Sequence, residues 1–524
     1  MQMHVMNADD LGRIHEATLE ILESHGVWFQ ESAKAAAIFA SHGCQVDGGR
    51  VRIPRQLFAE CLKCLPDRNS LQICVTKLGF SDSLGLRQGE SHVGLIGNPY
   101  YLYDHQQGER SLTETDADDK FLMLESLPGL EYDCCCTINA SQRAATASFP
   151  DYQNVDICLD YLRRRLGSCA RSSGKPAAIH SNIMHGQEDN PRIHSPLTLK
   201  PLEKMEVLRH AIVHGPQATA ALLAKDTPLI WCNPISPLQY HPDQVEEIIA
   251  GLQTHGAKCY VMFSPEVMLG GTGPVTLAGA LAQHNAEVMS GIILTQLIAP
   301  GTRAIYGSVS GVMDLRSADI SLGSLESVMF NGCVVQLADF YGLPSRVQFG
   351  NTSARRPGVR AAVETAWGLQ MGIMAGANLV NTGLLDSTLM LSLEHLVLVD
   401  ELASQVKSAK AATAINAETL ALEVIRQEGR PSTNYMGHDH TLDHMKEAMH
   451  YSDFTGRSTK SYEDWYELAH QKVQSILANG RDQAAADPEL ATRAKAVAAR
   501  LHEDDVTWRK GHDGWWREYV RDLA

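Results

Sequence analysis

From about residue 129 onward, short β-rich runs alternate with longer helical runs, and no other feature of the chain constrains its fold as strongly. The expected strands are Glu131–Ile138, Ala177–Ser181, Leu229–Asn233, Cys259–Phe263, Ala304–Ser308, Arg346–Phe349 and Asn378–Asn381. The expected helices between them include Tyr152–Leu166, Pro201–Ile212, Asp243–His255, Val275–Ile298, Ser324–Tyr341 and Val359–Ala375. A helical crossover brings the next strand back parallel to the last, so this alternation implies βαβ units and a parallel sheet. Helices at 391–412 and 418–428 lead to Asn434–Met436, which supplies an eighth strand. Short strands whose flanks turn quickly to Gly, Pro, Asn or Ser fit an α/β fold of the (β/α)8 TIM-barrel kind. A doubly wound open sheet is the alternative, but no G-x-G-x-x-G follows the first strand.

Residues 1–125 read as an N-terminal α+β region, opened by a helix over 8–26 that Asp9 or Asp10 caps. Residues 126–455 form the expected barrel. Residues 456–524 form a charged helical segment ending in Trp508, Trp515 and Trp516.

The formal charge is −16, from 45 basic and 61 acidic residues. This balance disfavours a nucleic-acid partner and adsorption to anionic membranes. No run of about 18 apolar residues reads as a membrane span, and the acidic N-terminus has no apolar signal region. The twelve cysteines are then expected as thiols in a cytoplasmic protein. Cys61-x2-Cys64 lacks a second pair, and Cys134, Cys135 and Cys136 alternate faces of a strand, so both groups read as packing cysteines.

In a barrel, chemistry sits where strands end. Trp231, Phe263, Tyr306 and Phe349 stand at or near four expected strand ends, and Tyr101, with Tyr100 and Tyr103, adds to them. They form either barrel core or a partial aromatic cage that holds a cation by its ring faces. Glu266, Gln348, Arg316, Arg346 and Arg356 lie in the same strand ends and loops. Asp314 stands two residues from Arg316 and pairs with it. Gly270, Gly271, Thr272 and Gly273 precede a helix. They form either an anion-binding loop or a tight turn that lets a large ligand approach the backbone. His438-x-His440-x3-His444 has spacing compatible with a metal, as a barrel lyase or hydrolase would use, though Thr441 also caps a helix there. No G-x-S-x-G elbow is present, and no lysine stands at a strand end. The chain offers no protein nucleophile.

Three stretches carry a family resemblance. They are SPEVMLGGTGPVTLAGALAQHNAEVMSGIILTQLIAPGTRAIYGSVSGVMDLRSADISLGSLES, GLPSRVQFGNTSARRPGVRAAVETAWGLQMGIMAGANLV and YMGHDHTLDHMKEAM. Together with GNPYYLYDHQQGERSLTETDADDKFLMLESLPGLEYD they resemble the trimethylamine methyltransferase family over roughly residues 8–480. The resemblance implies a TIM barrel that passes a methyl group from an amine to the Co(I) corrinoid of a separate small protein. The family's archaeal trimethylamine enzymes carry pyrrolysine. This chain has only standard residues and so resembles the branch that demethylates quaternary amines such as glycine betaine, proline betaine, carnitine or γ-butyrobetaine. The cobalamin cofactor would arrive on the cognate corrinoid protein, with no metal bound by this chain itself, and a homo-oligomer fits the family.

Removing a methyl cation from a quaternary ammonium releases a neutral tertiary amine, so neither a general acid nor a covalent adduct is required. The protein would orient one methyl in a dry, partly open cage. Arg316, Arg346 or Arg356 would take a betaine carboxylate, the glycine loop 270–273 would face the corrinoid, and His440 would orient substrate or corrinoid. The rival readings are a tertiary-amine methyltransferase and a protein that binds a quaternary amine without catalysis.

Overall fold

The computed structural model describes residues 3–30, 32–77, 81–97, 99–135, 176–177, 229–411, 414–431, 433–450, 452 and 464–484. Eight parallel strands organise it: β1 (His92–Gly97), β2 (Tyr132–Cys135), β3 (Pro176–Ala177), β4 (Leu229–Cys232), β5 (Tyr260–Phe263), β6 (Arg303–Ser308), β7 (Ser345–Gln348) and β8 (Leu379–Thr382). They lie side by side in the order β4-β5-β6-β7-β8-β1-β2-β3. An antiparallel hairpin, Gln72–Lys77 with Ser81–Gly85, extends the sheet beyond β3. The order is open: no pairing joins β3 to β4 among the described residues.

Seven expected strands appear in the sheet, although the far ends of Glu131–Ile138 and Ala177–Ser181 lie outside the described residues. Two differences renumber the sheet. The first strand is His92–Gly97, which precedes the expected barrel boundary at residue 126. Its two glycines disguise it, yet Gly94 is required: a Cβ there would lie 2.4 Å from the Tyr132 ring of the neighbouring strand. The expected eighth strand at Asn434–Met436 is instead an exposed turn, with Met436 79% accessible. The expected helices 152–166 and 201–212 lie outside the described residues, as do the side chains of Cys134, Cys135 and Cys136.

Besides Ala33–Ser41, Arg55–Lys63 and Glu114–Ser126 in the N-terminal region, the helices are α1 (Ala8–Glu20), α2 (Pro242–His255), α3 (Leu277–Ile298), α4 (Leu325–Phe340), α5 (Val359–Ala375), α6 (Leu393–Lys410), α7 (Leu422–Glu428), α8 (Asp439–Ala448) and α9 (Trp465–Ala484). Asn7 caps α1, and Asp10 completes the capping box from inside the first turn. The helix α3 is buried almost throughout from Ala280 to Gln296, because it is held between the sheet and the N-terminal region. That explains why its apolar residues are not confined to one face. No helix is long and apolar enough to cross a membrane among the described residues. The N-terminal region adds a small sheet of Val27–Phe29, Gln45–Asp47 and Arg50–Arg52, joined by Gln239–Tyr240.

Strand side chains alternate between two faces, and both faces are buried. On one, Val261, Phe263, Tyr306 and Val347 join the large core packed with the helices. On the other, Tyr132, Trp231, Tyr260, Met262, Ile305 and Leu379 form a second cluster with Leu71, Leu84 and Leu86 from the hairpin region.

Candidate active site at the strand ends

The register sorts the expected aromatic residues into two sets. Trp231 pairs with Met262, and Met262 with Ile305. One position further, Cys232 pairs with Phe263, and Phe263 with Tyr306. A single step along a strand reverses the face, so Phe263 and Tyr306 point away from Trp231 into the helices. Phe263 lies against α3, where a Cβ on Gly291 would come within 2.3 Å of its ring. The Tyr306 hydroxyl donates to Asn285 Oδ1 at 2.8 Å and lies 3.5 Å from His284 Nδ1, both on α3. Burial holds the Tyr306 hydroxyl well above its ordinary pKa and lowers His284 to about 3. Phe349 packs on α5 at Gly372. The four rings therefore form no common cage; of them, Trp231 shares its face with the strand-end polar residues.

What Trp231 meets there is Arg346, whose guanidinium carbon sits 4.1 Å from the ring centroid. Arg346 is 1% exposed and Trp231 4%. The next row along the sheet contains Gln348, Asn381, Gly94 and Tyr132. The Asn381 amide stands between Arg346 and Tyr132. With its oxygen toward Arg346 it accepts from Nε and Nη2 at 2.5 Å, and its nitrogen donates to the Tyr132 hydroxyl; the amide orientation is assigned from these partners. Gln348 Nε2 donates to the carbonyls of Val309 and Ser310, both at 3.2 Å. On the other side of Trp231, its indole N–H donates to Asn233 Oδ1. Asn233 Nδ2 donates in turn to Glu266 Oε1 at 3.3 Å, and Glu266 is exposed. A continuous polar line thus runs from buried Arg346, through Trp231 and Asn233, to a carboxylate at the surface.

Loops after the strands frame this line. The loops after β5 and β6 form a small sheet of Met268–Leu269, Gly311–Met313 and Ile320–Ser321. The glycine loop closes its end. The N–H groups of Gly271, Thr272 and Gly273 donate to the Met268 carbonyl at 2.8, 2.9 and 3.1 Å, and that of Gly270 to the Gly273 carbonyl at 3.0 Å. All four amides are used within the turn, so the loop does not offer them to an anion. Gly270 has φ +85°, which explains its residue type. Arg316 is 90% exposed at the tip, held by Asp314, whose carboxyl that hydrogen bond pulls down to about 2.

Glu287 on α3 joins the two loop systems. Its carboxylate accepts from the Leu238 N–H at 2.8 Å, the Ser236 hydroxyl at 2.7 Å and Gln283 Nε2 at 2.9 Å. Gln283 also donates to the Thr272 carbonyl at 2.9 Å. Burial outweighs these bonds and raises the Glu287 carboxyl to about 7. On the far side, the hairpin Tyr101–Asp104 with Gly108–Ser111 pairs with Met390–Leu391, placing half-exposed Tyr101 beside the loop after β8. His440 contacts its own helix and the segment before α7. Its Nε2 is 3.3 Å from the Glu418 carbonyl, its ring is 4.5 Å from that of His444, and its N–H donates to His438 Nδ1.

The model of the family described as "Trimethylamine methyltransferase (MTTB)" matches residues 1–144 and 203–511. The chain belongs to the trimethylamine methyltransferase family. It is a methyltransferase, as its relatives are. It is 27% identical to the glycine betaine methyltransferase of Desulfitobacterium hafniense strain Y51 over 508 residues, covering 95% of this chain and 97% of that one. To the trimethylamine methyltransferase MttB of Methanosarcina barkeri it is 28% identical over 497 residues, covering 91% of each chain. Among solved structures, the monomethylamine methyltransferase MtmB of Methanosarcina barkeri superposes with a TM-score of 0.47 at 10% identity, covering 91% of this chain and 89% of that chain.

Three residues of this methyltransferase's polar line escaped the sequence reading as site residues: Tyr132, Asn233 and Asn381. The available signal was parity. Asn233 is two residues from Trp231 and shares its face. Tyr132 and Asn381 become visible only once β1, with Gly94, is placed between their strands.

Proposed function

We propose that the chain transfers a methyl group from a small quaternary amine, glycine betaine or a related betaine, to the Co(I) corrinoid of a separate cognate protein. The observation that carries this reading is the charge order of the polar line: a buried guanidinium at one end and an exposed carboxylate at the other. A betaine is a zwitterion. With its carboxylate toward Arg346, its ammonium lies toward Glu266 and its methyl groups toward the open end. Arg346 would offer a charge-assisted contact in a buried setting. Glu266 would hold the cation loosely enough to leave one methyl free.

The donor set suits an external nucleophile. The Cys232 thiol faces the helices, and burial keeps it well above its ordinary pKa. The Ser308 and Ser310 hydroxyls are committed to Asn331 Oδ1 and the Pro265 carbonyl. When bound, a Co(I) corrinoid supplies the nucleophile. The chain's residues bind the amine, orient it and exclude water from it.

A closed TIM barrel, beginning at β1, fits the sheet. The order 4-5-6-7-8-1-2-3 is a cyclic permutation of chain order, as expected for a barrel opened between β3 and β4. Trp231 and Arg346 are three strands apart, roughly 14 Å in a flat sheet, yet they touch. The cluster on their face also joins Tyr132 near one end of the order to Trp231 at the other. The corrinoid partner, a homo-oligomer and a cytoplasmic location belong to the same proposal.

Identity to the MttB enzymes favours a second reading, a tertiary-amine donor. Calorimetric titration with glycine betaine, proline betaine, carnitine, γ-butyrobetaine, choline and trimethylamine separates the two. Binding of one betaine without trimethylamine is expected; binding of trimethylamine alone would overturn the betaine reading.

A further inference from the structure

Away from the strand ends, three side chains from distant parts of the chain converge: His105, Glu394 and His470. His105 lies in the turn of the hairpin, Glu394 in the first turn of α6, and His470 on α9. One ligand atom from each lies within 4.8 Å of the others. His470 Nδ1 is 2.9 Å from Glu394 Oε1, and the two imidazoles stack at 3.7 Å between centroids.

The surrounding groups leave the right atoms open. His105 Nδ1 is buried and has no hydrogen-bond partner. Its other nitrogen, Nε2, faces Glu467 Oε2 at 3.5 Å. A carboxylate at Nε2 places the ring proton there and leaves a lone pair on Nδ1, the arrangement that orients metal-bound histidines. Ser392 likewise donates to Glu394 Oε2 at 3.0 Å, leaving Oε1 toward His470. Glu467 and His470 form Glu-x-x-His on one face of α9, a spacing that sequence alone shows but that lacks meaning until Glu394 is placed beside it.

We propose that His105, Glu394 and His470 bind one divalent transition metal ion, zinc by preference, which pins the C-terminal helix α9 to α6 and to the hairpin after β1. Two imidazoles and one carboxylate suit zinc, with a fourth position left for water. Tetrahedral ligands about 2.0–2.1 Å from zinc are roughly 3.4 Å apart, so a separation at the 4.8 Å limit contracts by about 1.4 Å, within reach of side-chain rotation. The role is structural, since it closes three segments around one ion. The sequence had directed attention to His438, His440 and His444 and to a metal-free chain; in the structure His438 caps α8, while His440 and His444 face Glu418.

The test uses the full-length purified chain, stripped by a chelator and titrated with Zn2+ alone. One ion per chain is expected, with a higher melting temperature and, on Co2+ substitution, the visible spectrum of a four-coordinate site. H105A and H470A should each weaken Zn2+ binding by at least a hundredfold. E394Q, which keeps the size of the side chain, should weaken it about tenfold or more while leaving the circular dichroism unchanged. H440A should bind as the parent does. No stoichiometric zinc in the parent, or unchanged zinc affinity in E394Q and H105A, would overturn the proposal, as would loss of zinc in H440A.

Discussion

Replacing Glu287 by Gln isolates the electrostatic cost of the carboxylate that joins the strand-end loops. Glu287 is fully buried, and burial raises its carboxyl from 4.5 to about 7 even though Leu238, Ser236 and Gln283 donate to it. The folded protein therefore holds a proton that the unfolded chain loses between pH 4.5 and 7. Its stabilising contribution is complete below pH 4.5 and is lost as the pH rises to about 7. At about 1.4 kcal/mol per pH unit the loss is about 3 kcal/mol. Gln cannot ionise, keeps an oxygen for Leu238 and Gln283, and presents an N–H to the Ser236 hydroxyl. E287Q should thus match the parent near pH 4.5 and exceed it by about 3 kcal/mol above pH 7. For a chain of 524 residues, an unfolding entropy of about 2.1 cal/mol/K per residue makes that gap about 3 °C. Melting curves of both proteins at half-unit steps from pH 4.5 to 8 measure it. Parallel curves, or a less stable E287Q at pH 8, would refute a raised carboxyl at this position.

Three further outcomes are expected. Arg346→Met should lower betaine affinity at least a hundredfold while leaving choline, which has no carboxylate, nearly unchanged; equal losses in calorimetry would remove Arg346 from carboxylate recognition. Gly291→Ala should cost about 1–3 kcal/mol by overpacking, because the new Cβ would meet Phe263 at 2.3 Å and the Tyr240 hydroxyl at 2.4 Å; an unchanged melting temperature would contradict that packing. Burial works to raise the Glu131 carboxyl, but the His92 hydrogen bond and Lys407 together hold it at about 2. The stability this gives is present above pH 4.5 and lost as the pH falls toward 2, so Lys407→Met should move acid unfolding, followed by circular dichroism, to higher pH.

The βα alternation was legible because seven strands are short runs set between expected helices. β1 was not, because Gly94 and Gly97 interrupt it, and Gly94 is dictated by a tyrosine on the next strand rather than by any local preference. Asn434–Met436 resembles a strand only in composition, and Met436 is exposed. At the site, residue type pointed to Trp231 and Arg346 but could not show that they touch. Phe263 and Tyr306 were grouped with Trp231 by nearness to strand ends. Register, which depends on pairing between distant strands, assigns them to the opposite face. The glycine loop shows the same limit: its composition permits anion binding, and its hydrogen bonds to the Met268 carbonyl use the amides instead.

The most direct measurement is anaerobic single-turnover methyl transfer to cob(I)alamin or to a Co(I) corrinoid protein, with each amine of the titration panel as donor. Loss of the Co(I) absorbance, growth of methyl-Co(III) and release of the matching tertiary amine, such as dimethylglycine from glycine betaine, is the expected result. Demethylation of trimethylamine, with every quaternary amine left intact, would contradict it.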